Sequence, residues 1–169
     1  MAKAKTKRRA APKARARAKT TSRRRAAPRA KVAAKAKPKA KARPKQKFNV
    51  SHHREEDFLG GLREYAKYRD LGMSAATGGL VQAHVIRMIP PVKPEEVSKL
   101  HYHDVEFQMV YVLKGWIKNE FEGHGEQVMR QGTAWMQPPK IKHTVLDYSD
   151  DCELLEIILP ADFDTVTLE

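Results

Sequence analysis

From residue 80 onward the chain never sustains one apolar pattern for long before a turn residue stops it. LVQAHVIRMI (80–89) alternates as a strand does and then runs into PPVKPEEV, expected as a plain loop; EFQMVYVLKGWIKNEFEG (106–123) reads as two strands hinged near Lys114–Gly115. QVMRQG, AWMQ, HTVLDYS and CELLEIILP follow as short strands separated by Gly, Pro-Pro and Asp-rich turns. Segments this short bury one face each only by folding onto one another, so the pattern predicts an all-β sandwich or barrel. Upstream, REEDFLGGLREYAKYRDLG (54–72) sets Phe58, Leu59, Leu62, Tyr65 and Tyr68 at irregular helical spacing around Gly60 and Gly61. That predicts short helical turns or a packing arm.

The first 47 residues cannot join such a core. They hold 21 of the 33 Lys and Arg, no acid, and Val32 as the only larger aliphatic residue between Met1 and Phe48. Too little apolar surface is available to offset the chain entropy, and Pro12, Pro28, Pro38 and Pro44 interrupt any helix the alanines would favour. A disordered basic tail is expected over 1–47, with an arm over 48–77 and the barrel over 78–169. The remaining 122 residues suit one domain. They carry 12 basic residues against all 20 acids, a net charge near −8. Two roles fit the tail: contact with polyanions through counterion release, without sequence preference because no aromatic residue is interleaved to stack on bases, or a solubilising spacer. Its composition resembles the Lys/Ala/Pro-rich tails of linker histones and bacterial histone-like proteins. A single cysteine, Cys152, excludes an intramolecular disulfide and suggests no cysteine-based zinc site. With no apolar run long enough for a membrane span and no secretory pattern, cytoplasmic residence is the expectation.

Chemistry concentrates in LHYHDVEFQMVYVLKG (100–115). On a strand, residues i and i+2 share a face, so His101 and His103 point the same way and can converge on one ion. Imidazole serves Fe, Mn, Ni, Cu and Zn alike. A third imidazole is available at His143 in GTAWMQPPKIKHTVLD. Glu106 shares strand parity with Gln108 and offers a carboxylate to the same face. On the strand at 80–89, His84 and Arg87 have opposite parity, so at most one faces inward; Arg87 is a candidate anchor for an anionic substrate. His52, His53 and His124 read as solvated loop residues.

The spacing of these residues resembles the cupin superfamily, whose two motifs are G-x5-H-x-H-x(3,4)-E-x6-G and G-x5-P-x-G-x2-H-x3-N. His101-x-His103-x4-Gln108-x6-Gly115 follows the first, and Gly132-x5-Pro138-x-Lys140-x2-His143-x3-Asp147 the second. Glu95, Gln108, Lys140 and Asp147 depart from the motif residues. The resemblance, spanning about residues 78–160, implies a double-stranded β-helix (jelly-roll barrel) that pairs as a homodimer. It also implies one divalent transition metal on His101, His103 and His143, with Gln108 at or near the fourth position. A glutamine there is neutral and cannot act as a base. Three-histidine centres are well represented among cupin dioxygenases, so the resemblance implies oxygen-dependent oxidation of a small molecule. The contrasting expectation is a non-catalytic barrel that binds or senses a small ligand, tethered to nucleic acid by its tail.

Overall fold

The computed structural model describes residues 45–61 and 63–168. All but the last three residues of the basic tail, with the disorder and polyanion contacts expected of it, lie outside that part of the chain. The described residues form eleven strands and two short helices, and every strand pair is antiparallel. One sheet contains β1 (Leu59–Gly60), β2 (Ala66–Asp70), β3 (Gln82–Met88), β10 (Glu153–Leu159), β5 (Phe107–Lys114) and β8 (Ala134–Met136), in that order. The other runs β11 (Asp164–Thr167), β4 (His101–Asp104), β9 (His143–Tyr148), β6 (Trp116–Phe121) and β7 (Gly125–Arg130). Two antiparallel sheets interleaved in chain order are the jelly-roll barrel, an all-β fold as expected. No helix among the described residues is long and apolar enough to cross a membrane.

Alternation sets which side chains fill the barrel. Along β5, Gln108, Val110 and Val112 are buried while Phe107, Tyr111 and Leu113 stand more than a third exposed. Val110 and Val112 meet Ile117 of β6, Val145 of β9 and Leu154 of β10 in one core cluster. The chain leaves the first sheet for the second at Gly115, whose φ of 67° is open to glycine at little cost. Cys152 is fully buried in the same core, and burial pushes its thiol up to about 12, which makes it an inert apolar residue.

Three features differ from the sequence reading. Ala66–Asp70, expected among helical turns, is strand β2, paired with β3 from Ala66↔Met88 to Asp70↔His84. Residues 48–77 therefore supply two strands to the barrel's own sheet; within 54–72 the helical expectation holds only for a 3-10 turn at Glu55–Asp57, and α1 (Met73–Thr77) follows just beyond it. Second, PPVKPEEV is a loop closed by one helical turn, α2 (Pro94–Val97), with proline at its start. Third, the stretch that carries the histidines and Gln108 is two strands, not one. A bend at Val105–Glu106 sends β4 to one sheet and β5 to the other.

Candidate metal centre

That bend sets the two halves of the site facing each other across the barrel. His101 and His103 lie on β4, and His143 opens β9 as the register partner of His101. The ring centroids are 4.3 Å apart for His101–His143 and 5.2 Å for each of the other two pairs. One ring nitrogen from each lies within 4.8 Å of the others. The remaining nitrogens are anchored outward. His101 Nδ1 is 2.8 Å from the Lys99 carbonyl and His143 Nδ1 is 3.0 Å from that of Ile141. His103 Nδ1 is 2.8 Å from the Thr165 hydroxyl on β11. A carbonyl can only accept, so His101 and His143 carry their proton on Nδ1 and keep a lone pair on Nε2. Such outer hydrogen bonds fix ring orientation and tautomer at metal sites.

Burial reinforces this state. It brings His101 down to about 3, helped by neighbouring His143, and His103 down to about 4 against the opposing pull of Glu156. His143 is lowered by burial as well. All three imidazoles are thus neutral donors at pH 7.

Gln108 sits on the facing sheet and is 1% exposed, with its amide engaged at both ends. Its Nε2 donates to Glu156 Oε1 at 2.6 Å, and its Oε1 accepts from Gln137 Nε2 at 3.2 Å. Gln137 Nε2 also lies 3.2 Å from His143 Nε2, the lone-pair nitrogen, and Trp135 Nε1 donates to Gln137 Oε1 at 2.9 Å. The other Glu156 oxygen is 2.6 Å from His84 Nε2. A chain of polar contacts thus runs from His84 through Glu156, Gln108 and Gln137 to His143. Burial would push the Glu156 carboxyl up, but the hydrogen bonds from His84 and Gln108 and the charge of His84 bring it below its ordinary value.

Two candidates fall elsewhere. Glu106 occupies the bend between β4 and β5 and is exposed; the break in the strand removes the parity it would need to share a face with Gln108. Arg87 points away from the cavity. Its guanidinium is 2.6 Å from Glu55 and 2.6 Å from Glu153, and lies 3.8 Å over the Phe58 ring. His84, its neighbour of opposite parity, does line the cavity. His52, His53 and His124 are exposed.

Sequence reasoning missed Glu156, Gln137, Thr165 and Arg63, another residue of the cavity wall. For Glu156 a signal was present: it is the one acid inside the apolar run LLEIIL. An acid in such a run is buried whichever way the strand faces, so it needs partners.

Residues 91–158 match the family described as the cupin domain. No curated protein matches the sequence. Among solved structures the chain is similar to KdgF from Halomonas sp., with 18% identity and a TM-score of 0.52 over 68% of this chain and 94% of that one. It is also similar to the polyketide cyclase RemF from Streptomyces resistomycificus, at 14% identity and a TM-score of 0.55 over 71% and 86%. Oxalate decarboxylase from Bacillus subtilis aligns at 16% identity and a TM-score of 0.53 over 73% of this chain, which spans 34% of that protein. At these identities the likeness is one of fold.

Proposed function

We propose that this chain is a metal-dependent enzyme acting on a small molecule inside the barrel, with one divalent transition ion on His101, His103 and His143. The observation that carries this reading is the trio of neutral imidazoles, each tied down at Nδ1, with one nitrogen of each within 4.8 Å of the others. A bound ion supplies Lewis acidity and open positions for substrate and co-substrate. Dioxygen is the co-substrate favoured here, because a donor set without a carboxylate matches the three-histidine centres of oxygen-using cupins. Gln108, held between Glu156 and Gln137, presents a neutral amide to the cavity and orients what binds there.

Glu156 favours a second reaction class. A carboxylate on the cavity wall, held ionised by its partners, accepts a proton from a substrate without any oxidant. Glu156 thereby offers the acid that the motif lacks at position 108. The tail (1–47) belongs to the proposal as a non-specific contact with nucleic acid. So does a homodimer, for which Phe107, Tyr111 and Leu113 offer an exposed apolar face on β5.

The test is elemental analysis of the full chain purified without chelator, beside the His101→Ala/His143→Ala variant. The series includes manganese, since the similar oxalate decarboxylase of Bacillus subtilis has Mn(II) centres. About one equivalent of metal per chain, lost in the variant, is the expected result. Oxygen uptake by the iron form then separates oxidation from proton transfer. A chain that takes up no metal even on reconstitution leaves a ligand-binding barrel on a basic tether.

A further inference from the structure

The cavity beside the histidines, about 240 Å³, is lined by a residue with a buried donor and one with a buried acceptor that nothing among the described residues answers. Arg63 reaches it from the connection between β1 and β2. Its Nη2 is buried without a hydrogen-bond partner, and Arg63 takes part in none of the ion pairs among the described residues. A guanidinium stays charged at any pH a protein tolerates, and holding one of its N–H groups out of water with no partner is costly. The carboxylate on the cavity wall, Glu156, is already engaged by His84 and Gln108.

On the same cavity, Asn119 of β6 is 4% exposed, and its Oδ1 is likewise buried with no partner. Much of the remaining wall is apolar, including Ile86, Val110, Val145 and Leu154. Buried polar atoms are almost always satisfied, and those that are not call for an occupant. The volume lies below the roughly 300–1,000 Å³ of pockets that take drug-sized ligands, so the occupant is small.

We propose that this cavity binds a small hydroxycarboxylate, its carboxylate held by Arg63 and its hydroxyl donating to Asn119 Oδ1. A planar guanidinium matches a carboxylate with two parallel hydrogen bonds, which a neutral amide cannot reproduce. The anion site itself needs no metal. That the anion is the substrate rests on the enzyme reading above.

The experiment follows the thermal midpoint of the full chain, chelated and metal-loaded, during titration with 2-hydroxy acids from glycolate and lactate to malate, with propionate and lactamide as controls. A saturable rise is expected with at least one hydroxy acid, a smaller one with propionate and none with lactamide. Arg63→Gln should weaken that hydroxy acid about tenfold or more, with partial recovery in Arg63→Lys. Asn119→Ala should abolish the preference for lactate over propionate. Without ligand, Arg63→Gln should unfold at no lower temperature than the wild type, because a buried N–H that makes no bond has been removed. No saturable rise with any acid, equal rises with lactate and lactamide, or a ligand-free Arg63→Gln that unfolds several degrees lower would each overturn the proposal. A rise seen only in the metal-loaded protein and unchanged in Arg63→Gln places the anion on the metal, which overturns this site and leaves the metal reading intact. Arg63-dependent binding in a chain that takes up no metal does the reverse.

Discussion

Lys140 occupies the glycine position of the second motif, and the backbone has kept what glycine would have provided. Its φ is +63°, the only positive value at a non-glycine residue among those described. A side chain in that region costs roughly 1–2 kcal/mol. The conformation persists because the Lys140 amide donates to the His103 carbonyl at 3.0 Å, which clips the loop leading to His143 against β4. The lysine's pair with Asp104, at 3.1 Å, is solvent-exposed and adds little. Lys140→Gly should therefore raise stability by about 0.5–1 kcal/mol, after allowing for the greater chain entropy of glycine. The measurement is a urea midpoint that moves up at unchanged slope. A lower midpoint would mean that the Asp104 pair outweighs the backbone relief.

Among the elements, the turn from β5 to β6 joins the two sheets. Gly115 has no room for a side chain: a Cβ there would overlap the Ser149 hydroxyl, meet Asp151 Oδ1 at 2.6 Å and come within 3.2 Å of the Cys152 backbone. The Ser149 hydroxyl accepts from the Trp116 amide at 2.9 Å, so displacing it also loosens the start of β6. Gly115→Ala should cost about 2 kcal/mol or more from the left-handed backbone and the lost hydrogen bond. A thermal midpoint lower by several degrees is the expected readout, and an unchanged midpoint would show that the turn re-forms around the methyl group. This turn was legible in the sequence, since a glycine between two alternating runs is a local signal. So was the imidazole trio, because His101 and His103 follow from period two and His143 from motif spacing. Other elements depend on partners distant in the chain. AKYRD becomes β2 because β3 lies beside it, and DTVT becomes β11 through β4; neither alternates strongly enough alone. Glu106 was misread because parity was carried through a bend. Glu156 reaches Gln108 only because β10 pairs with β5, in a contact 48 residues apart along the chain.

For the molecule as a whole, burying three imidazoles without charge links folding to protons. In the unfolded chain each titrates near its ordinary 6.5, while the folded protein holds His101 near 3 and His103 near 4. As pH falls from about 6.5 towards 4, the unfolded state binds protons that the folded state refuses, so metal-free protein loses stability throughout that window. Above the unfolded value neither state is protonated, and these residues contribute no slope. Glu156 acts in the same direction at lower pH, since its folded value is depressed and its stabilising contribution is lost as pH falls through it. The folded domain's core cluster and strand pairing, unlike the site, contain few groups that titrate in this window. Urea midpoints of chelated protein should therefore stay level from pH 7.5 to about 6.5 and decline from there to pH 5, and most of that slope should vanish in His101→Ala/His143→Ala. A wild-type midpoint that is flat across the window would mean the imidazoles already take up protons in the folded state. A divalent ion binds only the folded trio, which stays neutral down to about pH 5, so adding it should stabilise the wild type by a similar amount at pH 7.5 and at pH 5. An ion that stabilises His101→Ala/His143→Ala as much as the wild type is bound somewhere other than these histidines.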